Sequence, residues 1–144
     1  MDMVQKYSIE NTAVIDGNEF DECDAPKIEV VDSESLNKLF SNIESWDWNV
    51  FDYAKEVNNP LYYLTRFFFE KENLFSLLNI PEKEFNRFIG LIEKGYHDLP
   101  FHNKIHATDV LHAMNYLIKN PRIKSMCNTI DVMCCYIAAI IHGN

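Results

Sequence analysis

From residue 36 onward the chain carries apolar side chains at helical intervals, and before that point it does not. Leu36, Leu39, Phe40 and Ile43 fall on one face of a helix that Ser35 can cap. Trp46, Trp48 and Phe51 follow as a short aromatic connector that needs burial. Asn59-Pro60 is a helix start, because Asn accepts bonds from first-turn amides and Pro is tolerated at the first helical position. The segment it opens, Leu61 through Glu70, is apolar on nearly all sides, the pattern of a helix inside a larger assembly. Pro81 starts another helix, with Phe85, Phe88, Ile89 and Ile92 on one face and Gly95 near its end. Two more helices, Lys104 to Lys119 and Ile130 to His142, are separated by a break at Asn120-Pro121. Every element with a clear period is helical, so the predicted class is all-α.

Charge changes this picture at one place. Residues 1–35 hold ten acids against two bases and show no sustained period, which reads as an acidic flexible arm, a solvated tail. Residues 36–144 keep twelve acids and eleven bases, so the expected domain is nearly neutral. With no basic stripe, nucleic acid is excluded as an expected partner. A length of 144 residues gives room for one domain. No apolar run approaches the roughly 20 residues of a spanning helix, and the acidic start resembles neither a secretory signal nor a transit peptide. The expected location is cytoplasmic, with no membrane segment. Cys23, Cys127, Cys134 and Cys135 lack C-x-x-C spacing and read as reduced, packed thiols.

The candidate chemistry lies in the histidines, at 97, 102, 106, 112 and 142, all in the last third of the chain. A spacing of four puts His102 and His106 on one side of a helix, with Cβ atoms about 5–6 Å apart. Asp109, three residues after His106, shares its face and could orient the imidazole by accepting its second N–H. His112 points elsewhere around the helix and reads as packing or surface. H-x-x-x-H alone is weak evidence, since histidines at this spacing are more often structural. A metalloprotease-type zinc pair needs Glu after the first His, where this chain has Asn103.

The longer string is far more specific. Glu93-Lys94-Gly95-Tyr96-His97-Asp98-Leu99-Pro100-Phe101-His102-Asn103-Lys104-Ile105-His106-Ala107-Thr108-Asp109-Val110-Leu111-His112-Ala113 resembles the 3′,5′-cyclic nucleotide phosphodiesterases, whose pattern is a Pro-Tyr-His-Asn turn leading into His-Ala-x-Asp-Val. Trp48-Asn49-Val50-Phe51-Asp52, Asn79-Ile80-Pro81 and Tyr136-Ile137-Ala138-Ala139-Ile140-Ile141-His142 look like further pieces of the same multi-helix, HD-type catalytic domain. His-Ala-Thr-Asp-Val-Leu-His-Ala is most similar to the cGMP-inhibited subfamily, although the connection from Asn120 to Thr129 lacks that subfamily's long insertion. The resemblance implies metal-dependent hydrolysis of cAMP or cGMP to the 5′-monophosphate in signal transduction. It implies His102 as the proton donor, His106 and His142 as metal ligands, Asp109 behind them and Phe101 at the substrate pocket. The implied cofactors are two divalent ions, one zinc-like and one magnesium- or manganese-like.

Three departures bear on activity. Gly143 follows His142 where the family has a metal-bridging Asp, and Gly has no ligand atoms. The family's later metal-binding Asp and its base-reading Gln and aromatic clamp find no counterpart in residues 1–144. Phe101 keeps the ring of the family's Tyr and loses its hydroxyl. The expectation is a partial catalytic domain at 36–144 that binds ions weakly or not at all, is inactive alone, and self-associates through uncovered apolar helices. The competing readings are a catalytically dead helical module that binds or competes with the full-length enzyme, and an all-α domain with structural histidines.

Overall fold

The computed structural model describes residues 26–144, and the described residues form eight helices and no strand. Most of the predicted acidic arm, residues 1–25, lies outside them. The rest of that stretch is held against the body. The Glu29 amide donates to Asn59 Oδ1 at 3.0 Å, the Tyr63 hydroxyl donates to the Glu29 carbonyl at 2.6 Å, and Pro26 lies over Gly90. Helix α1 (Ser33–Leu39) then begins two residues before Ser35, because Asp32 takes the cap by accepting from the Ser35 amide at 2.9 Å. Phe40 and Ile43 are buried although they follow the helix.

The aromatic connector contains a helix that the apolar spacing hides. Asn49 caps α2 (Val50–Glu56) by accepting from the amides of Phe51 and Asp52, and Trp48 is buried with its indole N–H donating to the Leu39 carbonyl. Helix α3 (Pro60–Lys71) starts at Asn59-Pro60 as predicted, yet Asn59 does not cap it. Its side-chain oxygen is engaged by Glu29, and the free amides of Leu61 and Tyr62 donate instead to the Glu93 carboxylate, at 3.3 and 3.0 Å. A helix needs acceptors at its first turn and favours negative charge there, so a carboxylate from a distant helix serves both needs.

Nine of the twelve α3 residues are buried, which makes it the axis of the core. Against it pack α4 (Leu74–Leu77), α5 (Glu82–Gly95), α6 (Lys104–Ile118) and, beyond the short α7 (Pro121–Lys124), α8 (Thr129–Ile141). Phe68 stacks on Tyr136 at a centroid distance of 5.7 Å, and Phe69 meets Phe85 at 4.6 Å. Arg66 is held by Glu70 and Glu82, at 3.0 and 2.6 Å. Glu44 pairs with Lys71 and Lys119, fastening the loop after α1 to α3 and α6. Cys127, Cys134 and Cys135 are free thiols, and Cys134 is exposed rather than packed. Among the described residues no helix is long and apolar enough to cross a membrane.

Candidate functional site

Helices α6 and α8 lie side by side and run in opposite directions, because Asn115 meets Tyr136 near one end and His106 meets His142 near the other. The second meeting point is where the chemistry gathers. Asn103 starts α6 by accepting from the amides of Ile105 and His106, both at 3.0 Å, while its own amide group donates to the Leu99 carbonyl. One side chain thus fixes the helix start and closes the loop that carries His102. Thr108 and Lys104 tighten the same turn, with Thr108 donating to the Lys104 carbonyl and the Lys104 ammonium to the Asn58 carbonyl.

Four rings converge at this end. His102 and His106 have centroids 5.8 Å apart, His106 and His142 5.0 Å, and Phe101 lies 4.5 Å from His106 and 5.1 Å from His102. Phe101 is 64% exposed, so it walls the cluster on the solvent side rather than sealing it. The Nε2 atoms of His106 and His142 are 3.1 Å apart. His142 Nδ1 lies 2.7 Å from the Ala139 carbonyl, which can only accept, so Nδ1 carries a proton and Nε2 is the nitrogen that faces His106. Burial lowers the pKa of His106, the nearby His142 and His102 lower it further, and Asp109 opposes them. These influences together favour the neutral imidazole, the form in which a ring nitrogen has a lone pair to offer.

This pair passes a chemical test for one imidazole-favouring ion. Two nitrogens at about 2.0–2.1 Å from a common ion lie about 3 Å apart, and a carbonyl behind one ring is the usual device for aiming it. The set is small, however. Among the described residues no group of three or more His, Cys, Asp or Glu side chains gathers to hold a metal. Gly143 leaves room where a further ligand would stand, since a Cβ there would lie 3.4 Å from Tyr96 Cε1 and 3.9 Å from His102 Cδ2.

The remaining candidates separate from this cluster. Asp109 is exposed and acts on His106 through its charge. His112 is a packing residue: it is 3% exposed, its Nε2 is 2.9 Å from the Ile43 carbonyl, and its ring lies against Trp48. The large cleft of about 1040 Å³, lined by Trp48, Asp52 and Glu56 among others, contains none of the histidines. Sequence reasoning missed Tyr96, whose hydroxyl donates to the Ile140 carbonyl at 2.8 Å. Its partner is 44 residues away, so no local spacing could reveal it.

A 3′5′-cyclic nucleotide phosphodiesterase family model matches residues 101–143, the stretch that holds the three clustered histidines. The chain is 36% identical over 116 residues to 3′,5′-cyclic-AMP phosphodiesterase 4 of Dictyostelium discoideum, which covers 79% of this chain and 11% of the relative. It is also 36% identical to the rat cGMP-inhibited 3′,5′-cyclic phosphodiesterase 3A, over 67% of this chain and 9% of that protein. The same identity, over 74% of this chain and 13% of the relative, is found with the human high affinity cAMP-specific and IBMX-insensitive 3′,5′-cyclic phosphodiesterase 8A. The chain therefore spans about a tenth of the length of these relatives. Matches of this kind, over the site and over most of the chain, make it a member of the 3′,5′-cyclic nucleotide phosphodiesterase family.

Proposed function

We propose that these residues supply the proton donor and two imidazole ligands of a site that hydrolyses cAMP or cGMP to the 5′-monophosphate in signal transduction. The observation that carries this is the convergence of His102, His106 and His142, with the two ligand nitrogens 3.1 Å apart. The family is generally metal-dependent. A bound divalent ion supplies charge neutralisation at the phosphate and a water acidified toward hydroxide. His102 stands beside that position and protonates the departing ribose oxygen, which spares the reaction an unstable alkoxide. His106 and His142 are the residues that would hold a zinc-like ion, and a magnesium- or manganese-like partner would need carboxylates that this cluster lacks. Phe101 offers a ring face to the substrate without a hydroxyl.

The same reading takes residues 36–144 as part of a catalytic domain, residues 1–35 as its acidic arm, and the cytoplasm as its location. Two imidazoles hold an ion weakly, so residues 1–144 by themselves are inactive. The test is incubation of the purified chain with cAMP and with cGMP, in zinc, magnesium and manganese. No turnover is expected. Turnover that His102→Ala abolishes would overturn the inactivity and keep the assigned acid, and turnover that survives His102→Ala would remove His102 from its role.

A second reading is favoured by α8. Ile130, Cys134, Ala138 and Ile141 are exposed on one face with Ile137 half-buried among them, so the outer side of this helix is largely apolar, with the exposed Asp131 in its first turn. A face of that kind suits an interaction module or self-association. Sedimentation of the purified chain decides: a monomer at high concentration removes self-association.

A further inference from the structure

The last turn of α8 carries His142, and helix ends are the places where backbone groups lack partners. Here each carbonyl from 139 to 141 has an acceptor's role. The Ala139 carbonyl receives His142 Nδ1–H at 2.7 Å, the Ile141 carbonyl receives the Asn144 amide at 3.2 Å, and the Ile140 carbonyl receives the Tyr96 hydroxyl at 2.8 Å. The Tyr96 contact ties this turn to the segment that leads from α5 into the His102 loop, and the Asn144 side chain makes a second tie, to α5 itself, by donating to the Ile92 carbonyl at 2.7 Å. Tyr96 is the cap residue of α5, six positions before His102. Burial raises the pKa of its phenol, with the Gly143 backbone N–H pulling the other way, so the same oxygen faces an amide one residue after His142 as well as a carbonyl two residues before it. The Tyr96 ring also lines the space at Gly143, 3.4 Å from where a Cβ would stand, beside His102 Cδ2.

We propose that Tyr96 is a positioning residue that brackets His142, holding the last turn of α8 so that the ring stays bonded to Ala139 and keeps its Nε2 aimed at His106. Without the phenol the Ile140 carbonyl and the Gly143 amide lose a shared partner, the turn frays, and His142 leaves its fixed tautomer. Positioning groups of this kind typically change ion affinity by about 10–100-fold. The inference rests on the metal-ligand reading of His106 and His142 for that affinity effect only.

The test compares Tyr96→Phe with Tyr63→Phe, a control that also removes a phenol-to-carbonyl bond, at Glu29 and far from the histidines along the chain. Nitrogen NMR of the metal-free chain reads the His142 tautomer, and titration with cobalt(II) chloride reads ion affinity, with His142→Ala as the baseline. Tyr96→Phe is expected to convert His142 from the Nδ1–H form to a mixture and to weaken cobalt binding about tenfold, while Tyr63→Phe changes neither. A Tyr96→Phe protein with the wild-type tautomer and affinity overturns the proposal, as does the same pair of changes in Tyr63→Phe. Equal cobalt binding by wild type and His142→Ala defeats the metal reading instead, and the tautomer comparison then decides the role of Tyr96.

Discussion

The two ends of the α6–α8 pair are built alike and do different work. At one end the Tyr136 hydroxyl donates to Asn115 Oδ1 at 2.8 Å, and both residues are essentially inaccessible. At the other, two imidazole nitrogens face each other at 3.1 Å with His142 exposed. A polar pair buried under Phe68 and Phe69 fixes how the helices sit, because breaking it leaves a desolvated group unmatched. A polar pair at the rim costs little to open. The difference teaches where a ligand can enter: the buried end gives the alignment, and the open end leaves its polar groups within reach of solvent.

The largest expected effect comes from breaking the buried end. Tyr136 is 0% exposed, and Tyr136→Ala should lower stability by about 3–5 kcal/mol through lost burial and a cavity. Denaturant unfolding measures this, and a loss under about 1 kcal/mol would show that the aromatic core does not set the alignment.

Next is a pH effect at another buried polar group. Burial pushes the Glu93 carboxyl from an ordinary 4.5 up to about 7, against the pull of the Tyr62 amide, Lys104 and the Leu61 amide. An acid whose pKa is higher in the folded chain than in the unfolded one holds its proton more tightly when folded. Its contribution is therefore greatest below the unfolded value and is lost as pH rises through the folded one. Between pH 4.5 and about 7 the stability of the wild type should fall relative to Glu93→Gln, by up to about 3 kcal/mol. Unfolding curves of both proteins across that window check it, and parallel curves would mean that Glu93 is as readily ionised folded as unfolded.

A smaller change sharpens the comparison without making a cavity. Tyr136→Phe removes only the hydroxyl, and Asn115 Nδ2 already has no partner among the described residues. The variant should lose about 1–2 kcal/mol, since both polar atoms of Asn115 are then unmatched. Adding Asn115→Leu to it should recover part of the loss, because removing both partners of a buried pair is cheaper than removing one. Equal losses in the single and double variants would contradict this.

The same contrast explains what the sequence could reveal. The start of α3 was legible from Asn59-Pro60, and α5, α6 and α8 from their apolar spacing, because those signals lie within one turn of each other. Helix α2 was hidden because the aromatics around Asn49 read as a connector, and α1 begins at Ser33 because the Asp32 carboxylate caps it by accepting from the Ser35 amide. The grouping of His102 with His106 follows from spacing, whereas His142 reaches them from 36 residues away and was placed by resemblance. Glu93 and Tyr96 were illegible for the same reason, since each acts on backbone 31 to 44 residues distant. Local chemistry can be read from a string; the groups that hold a site in register cannot.

The smallest expected effect on stability is at the open end, and it asks whether that end lacks only a ligand. Gly143 is not among residues with positive φ, and a Cβ there would make ordinary contacts, 3.4 and 3.8 Å from Tyr96 and 3.9 Å from His102. Gly143→Asp should therefore change stability by no more than about 0.5 kcal/mol, as surface substitutions do. It would place a carboxylate beside His102 and one residue from His142, adding an oxygen donor to two imidazoles. Divalent-ion affinity should rise about tenfold or more, because each added anionic ligand replaces a water and contributes charge. Calorimetric titration with zinc and with manganese measures it, with His142→Ala in the same background as the control. Unchanged affinity with unchanged stability would mean that the rim pair is a structural contact like the buried one, and that the resemblance between the two ends extends to their function.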